Sequence, residues 1–255
     1  MIIFELLISP FVIEGKRMLS KLALIVLFLL LTSLSVPALA DDYSDALAAT
    51  KRGDFSASFK LLKPLAEKGD ARAQGELGAL YLSGRGTSKD PKEGLRWTKE
   101  AANKGLATAQ YNLGIMYLDG QVAPQNFPEA MKWLLAAAGQ GVPAAQAGVA
   151  AMFYEGQGVP QSYEEAAKWM QLAAAQGDAE AQLNLGTMYA FGQGVERNIL
   201  RGAMWTYLAT DSTTFSEVER KSLREISLKT LNPQEITKIQ EMAKQCKESN
   251  FKQCP

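Results

Sequence analysis

Between residues 73 and 209 the apolar positions fall into two alternating kinds of run, both at the 3.6-residue period of a helix. In the first kind, Gln110, Leu113, Gly114 and Tyr117 share one face of the segment 109–117. In the second, as in 129–138, a tryptophan sits among alanines, where small residues let two helices approach and the indole fills the remaining volume. Glycine-bearing polar stretches separate the runs. The pattern predicts an all-α chain in which a helix A and a helix B alternate.

The same residues return at a fixed interval. Trp97, Trp133, Trp169 and Trp205 are all the tryptophans of the chain, and each follows the last by 36 residues. Gln74, Gln110, Gln146 and Gln182 open successive units, Gly84, Gly120, Gly156 and Gly192 punctuate their middles, and Gly69, Gly105, Gly141 and Gly177 close the preceding ones. Such a period marks an α/α solenoid, in which a helix pair cannot bury its apolar face until it stacks on a neighbour. We place four units at about 74–109, 110–145, 146–181 and 182–209. The mid-unit glycine suits a left-handed C′ position that ends helix A. Asp54, Asp90, Asn126, Ser162 and Asn198 stand where helix B begins and can accept hydrogen bonds from its free amides. Pro91 with Glu93 behind Asp90, Glu129 behind Asn126 and Glu165 behind Ser162 are expected to reinforce three of these caps. The tryptophans read as packing knobs rather than as a cofactor box.

Gln110, Leu113, Gly114, Tyr117, Gly120, Ala130, Trp133, Ala137 and Gly141 resemble the consensus of the Sel-1-like repeat, a relative of the tetratricopeptide repeat. The run Gln182-Leu183-Asn184-Leu185-Gly186-Thr187-Met188-Tyr189 with Gly192-Gln193-Gly194-Val195 matches it most fully. The resemblance implies a superhelical adaptor for other proteins, often in bacterial envelope or host-interaction roles, and brings no catalytic residues. Departures lie at Val149, Ala150 and Phe153 in the third unit, and at Val122, which replaces a second turn glycine in the second unit; local curvature is expected to differ there. Ahead of the array, 41–72 reads as a shorter tetratricopeptide-like pair joined through Gly53-Asp54-Phe55, with Pro64 expected to kink its second helix. Behind it, 210–255 reads as C-terminal capping helices. There 215–231 is charged and amphipathic, and Asn232, Pro233 and Glu235 make the cap, first turn and box partner of a final helix.

The first forty residues are of another kind. Lys21 precedes the apolar run 22–31, and Ala38-Leu39-Ala40 stands before Asp41, which is the pattern of a secretory signal peptide cleaved between Ala40 and Asp41. The run is short for a membrane span, and Met18 makes a better start for an export signal than Met1. The mature product would be a periplasmic or secreted bacterial protein with no stable membrane span. Cys246 and Cys254, the only two cysteines, would be joined there as a disulfide.

Charge and composition narrow the chemistry. Lys and Arg number 27 and Asp and Glu 27, with signs alternating along helix surfaces, so clustered phosphate contacts of the kind nucleic-acid binding needs are not expected. There is no histidine, which removes Ser-His and Cys-His nucleophilic systems and histidine metal sites. Gly84-Arg85-Gly86 and Gly156-Gln157-Gly158 are turn glycines without the order of a phosphate-binding loop. No enzyme activity, metal or cofactor is therefore expected, and the partner is expected to be a protein. A binding face can be read from the side of helix A opposite its core stripe. Its candidate residues are Asn112, Ile115, Asp119, Glu155, Asn184, Thr187 and Phe191, with Ile115 and Phe191 as apolar anchors for a peptide or helix on the concave side. The leading function is an exported scaffold in the bacterial envelope. A secreted host-interaction factor and a peptidoglycan-linked or β-lactam-binding hydrolase are the alternatives. The β-lactam-binding branch of the family carries a disulfide in each repeat, and these repeats carry none.

Overall fold

The 36-residue beat becomes four consecutive helix pairs, with one further pair ahead of them and two capping helices behind, in a computed structural model that describes residues 42–251 and Cys254. The signal-peptide reading, with Met18, Ala40 and Asp41, lies outside the described residues. In chain order the helices are α1 Asp42–Lys51, α2 Phe55–Glu67, α3 Ala71–Ser83, α4 Pro91–Asn103, α5 Ala107–Asp119, α6 Phe127–Gly139, α7 Pro143–Glu155, α8 Tyr163–Ala174, α9 Ala179–Phe191, α10 Ile199–Ala209, α11 Glu217–Leu228 and α12 Pro233–Glu248. Each helix packs on its sequence neighbours from α1 to α11, and α12 folds back onto α10. The described chain is a solenoid of helices with no strand among its elements.

The turn chemistry explains why each helix stops where it does. Gly84, Gly120, Gly156 and Gly192 all take a left-handed φ of 72°, and each donates its amide to the carbonyl four residues back. A second glycine follows two residues later, and its need is steric as well as conformational. A Cβ on Gly194 would lie 1.9 Å from the carbonyl oxygen of Tyr163, and one on Gly86 would lie 2.1 Å from that of Phe55. Val122 stands at this place in the second unit, and it does not adopt the positive φ that the glycines use, so that turn differs from its relatives.

Asp54, Asp90, Asn126, Ser162 and Asn198 each accept a backbone amide at the start of a helix. The reciprocal half of the capping box is absent in the repeats. Glu93, Glu129 and Glu165 turn away from the cap to pair with Arg96, Lys132 and Lys168, one turn along the same helix. A cation three residues on competes for the carboxylate and wins in every case. Among the described residues, complete boxes form at Ser216–Glu219 and Asn232–Glu235.

Inside each pair, α3, α5, α7 and α9 bury the same five positions. They are Ala73, Gln74, Leu77, Gly78 and Leu80 in α3 and Ala181, Gln182, Leu185, Gly186 and Met188 in α9. The glycines allow close helix contact: a Cβ at Gly186 would meet the Thr206 Oγ1 at 2.5 Å and the Gly202 carbonyl at 2.8 Å. The third unit holds Ala150 there, fully buried, so α7 and α8 meet with a methyl between them. The tryptophans divide. Trp97 and Trp205 are buried at 7% and 6% exposure, whereas Trp133 and Trp169 are only half-buried, which corrects the reading of all four as core. Trp133 spans the surface, donating its Nε1 to Glu129 at 3.0 Å while Lys132 Nζ sits 4.9 Å from its ring.

At the N-terminal end α1 and α2 form the short pair, α2 runs past Pro64 to Glu67, and Thr50 and Ser58 hydrogen-bond between the two helices. At the other end α12 supplies the cover, burying Ile239, Ala243 and Cys246 against Met204, Trp205 and Leu208. α11 buries none of its residues. Cys246 and Cys254, 4.4 Å apart at Cα, are placed for a disulfide.

Candidate functional site

The side of helix A opposite the core carries two recesses. α7, α8 and α9 enclose about 290 Å³ lined by Ala151, Tyr154, Glu155, Met170, Asn184, Thr187, Met188 and Gln193. α3, α4 and α5 enclose about 430 Å³ lined by Ala79, Leu82, Ser83, Thr98, Asn112, Ile115 and Met116 among others. These are one motif repeated two units apart, since Asn112 and Asn184, Ile115 and Thr187, and Met116 and Met188 are each 72 residues from one another.

The unit between them is plugged. Leu134 stands where the outer recesses have Thr98 and Met170, and it is wholly buried. Its side chain runs along Gly114 of α5 and Gly148 of α7, close enough that a Cβ on either glycine would touch it, at 2.7 Å and 3.4 Å. A branched residue from helix B thus fills the seam in the middle and leaves it open on both sides.

Of the residues predicted for the binding face, Glu155, Asn184 and Thr187 line the first recess and Asn112 and Ile115 the second. Asp119 stands exposed at the end of α5, accepting the Gln121 amide at 2.9 Å, and is outside both lining sets. Phe191, 73% exposed, closes α9 one turn beyond Thr187 and is also outside. Ile115 and Phe191 therefore do not converge on one socket. Ile115 is itself half-buried against the core of the second and third units.

Tyr154, Met170, Met188 and Gln193 belong to the recess but not to the predicted face. Met170 comes from helix B, and Gln193 from the turn after α9, where its Nε2 donates to the Tyr154 hydroxyl at 2.9 Å and ties two units together. A row drawn on helix A alone cannot find Met170 and Gln193, and Tyr154 and Met188 stand on helix A beside the predicted row. The signal that could have done so is the exchange of Thr98, Leu134 and Met170 at one repeat position, which changes the shape of the side chain in the seam.

The walls are largely apolar, with amide and hydroxyl groups and the Glu155 carboxylate among the lining residues. Groups with displaced pKa sit elsewhere, at helix starts. A side-chain hydrogen bond from Arg72 holds Asp70 below the usual carboxylate range, and one from Arg96 does the same for Glu93. Neither lines a recess. Among the described residues no group of three His, Cys, Asp or Glu could hold a metal, and no helix is long and apolar enough to cross a membrane.

Comparison with known sequences matches the Sel1 repeat at residues 71–106, 107–142, 143–178 and 179–212, more than half of the chain. The chain belongs to the Sel1 repeat family. The matched units start where helix A starts, three residues ahead of the units placed on the glutamines. Comparison with curated proteins gave no match. Among solved structures, a Sel1 repeat protein from Oxalobacter formigenes is similar at 25% identity with a TM-score of 0.68, over 80% of this chain and 84% of that one. The protective antigen c5321 of uropathogenic Escherichia coli, which displays an SLR fold, is 25% identical with a TM-score of 0.49, over 78% of this chain and 50% of its own. The immunity protein Pa5087 from Pseudomonas aeruginosa is 19% identical with a TM-score of 0.47, over 84% of each chain. Sel1 repeats mediate protein–protein interaction and form a generally non-catalytic scaffold family.

Proposed function

We propose that this protein is an exported scaffold of the bacterial envelope that captures a peptide or helix of a partner protein along the helix A face. The observation that supports this is the pair of matched recesses two repeats apart, separated by the Leu134 plug. Two apolar sockets with Asn112 and Asn184 at equivalent places suit a ligand that inserts two side chains and crosses the plugged unit between them. The apolar run 22–31 followed by Ala38-Leu39-Ala40, read as a signal peptide, and a cysteine pair placed for a disulfide support location outside the cytoplasm.

Peptides selected from a displayed library on the full chain test the reading. Asn184→Arg with Thr187→Arg changes two exposed residues and fills the first recess with charge, so selected peptides should lose at least about tenfold in affinity, or 1.4 kcal/mol. Unchanged affinity in this folded variant would place the binding surface elsewhere. Export is tested separately by the N-terminal residue of the secreted or periplasmic chain, expected to be Asp41.

A further inference from the structure

We propose that the recess at the junction of α10 and α11 binds a doubly charged oxyanion of the phosphate type. It encloses about 280 Å³ and is lined by Thr210, Glu217, Arg220, Lys221 and Arg224. In the sequence the charges of this segment read as solvated helix surface. In the structure Arg220 is partly withdrawn from solvent, and its Nε is buried with no hydrogen-bond partner. A guanidinium cannot release its charge to escape that position, so the donor is costly to leave unmet. Glu217 shares the lining and still leaves this nitrogen unpartnered.

Arg224 shows the contrast. Its Nε and Nη2 donate to Thr210 Oγ1 at 3.2 and 2.9 Å, its Nη2 reaches Asp211 at 3.2 Å, and its guanidinium lies 4.8 Å from the Tyr207 ring centre. Asp211 also pairs with Lys247 of α12. Among the residues that line the recess, Arg220, Lys221 and Arg224 carry three positive charges against the one negative charge of Glu217, which leaves two to be matched. A dianion with tetrahedral oxygens balances that excess and offers the fork of Arg220 a bidentate partner. A second observation points the same way: α11 fully buries none of its residues and leaves Val218 and Ile226 at 79% and 67% exposure, so its apolar hold on the core is slight, with Leu228 at its far end packing on the C-terminal cluster. An anion held between Arg220, Lys221 and the Thr210 end of α10 would.

Free phosphate and the phosphate group of a monoester share this chemistry. Calorimetric titration of the full chain at low ionic strength with inorganic phosphate, with O-phosphoethanolamine and with chloride separates them. Saturable binding of inorganic phosphate that Arg220→Gln weakens at least about tenfold, and that Arg96→Gln leaves alone, is expected. Glu217→Gln should tighten it. Phosphoethanolamine binding in addition would show that the recess admits an esterified phosphate, and its exclusion would show a site for the free ion; each supports the assignment. Should Arg220→Gln alter the helical circular dichroism, Lys221→Ala and Glu217→Gln carry the test in opposite directions. Phosphate heats no larger than those of chloride, or equal affinity in the wild type and in Arg220→Gln, would overturn it.

Discussion

Each repeat glutamine is a buried polar residue, and the structure shows why it is tolerated. Gln74, Gln110, Gln146 and Gln182 donate their Nε2 to the carbonyls of Ala66, Ala102, Ala138 and Ala174, eight residues earlier, stitching helix A to the preceding helix B. Gln140 and Gln176 then donate to the Oε1 of Gln110 and Gln146 at 2.7 and 2.8 Å. The first unit lacks that partner. Lys104 occupies the place of Gln140, its Nζ goes to the Gly69 carbonyl at 2.6 Å, and Gln74 Oε1 is left buried and unbonded. Gln140 serves both roles, reaching the Gly105 carbonyl and Gln110. Lys104→Gln should therefore supply both bonds and raise stability by about 1 kcal/mol in a urea melt. A small residue can be as specific as a polar one. Gly186→Ala forces a methyl toward the Gly202 carbonyl and should cost about 1–3 kcal/mol by the same melt, with Ala150 showing that the third unit has made room.

Element boundaries depend on conformations that single residues permit. Gly141 and Gly194 both have positive φ, at 84° and 70°, but a Cβ on Gly141 meets nothing within 4 Å. Gly141→Ala should thus cost only the left-handed penalty, about 1 kcal/mol, whereas Gly194→Ala adds a collision with the Tyr163 backbone and should lose several times more, as read by thermal melts of the two variants. Charge at helix starts gives a pH signature. The folded pKa values of Asp70 and Glu93 lie below those of the unfolded chain, so their contributions are present above the unfolded carboxylate range and fade as pH falls through about 4 and lower. Both groups are largely solvated, which limits each to a few tenths of a kcal/mol. The urea midpoint should drop between pH 5 and pH 3, and Asp70→Asn with Glu93→Gln should flatten that drop. α5 and α7 have no comparable cap, because Leu106 and Val142 hold the position of Asp70 and pack into the seam between units instead.

For the whole molecule the open problem of a repeat array is its ends, and here one helix closes the C-terminal one. α12 brings Ile239, Ala243 and Cys246, each no more than 1% exposed, onto the last repeat, and Phe251 beyond it packs on the same cluster. A disulfide between Cys246 and Cys254 would fasten that tail through a loop of eight residues' separation, worth about 2.5 kcal/mol in the chain-entropy model. Cys254→Ser should lower the thermal midpoint without abolishing the fold, and a reducing agent should reproduce the shift in the wild type but not in the variant. An unshifted midpoint would mean that the cysteines are not joined.

Sequence by itself determined the period, the helix pairs, the glycine C-caps and the side chains that start helix B, because each is a local demand of the backbone within a few residues. It also suggested a row on helix A, of which the structure puts Asn112, Ile115, Glu155, Asn184 and Thr187 at the two recesses. Only the tertiary structure decided that Leu134 plugs the middle seam, that Met170 and Gln193 complete the outer one, and that Phe191 and Asp119 stand apart. It also decided that Glu93, Glu129 and Glu165 pair along the helix rather than with their caps, and that two of four equivalent tryptophans reach the surface. Apart from the glutamate pairs, which are settled between side chains three residues apart on one helix, those outcomes depend on volumes contributed by different helices. A repeat that spaces its residues identically does not fix them, because packing compares neighbours that the period treats as equal.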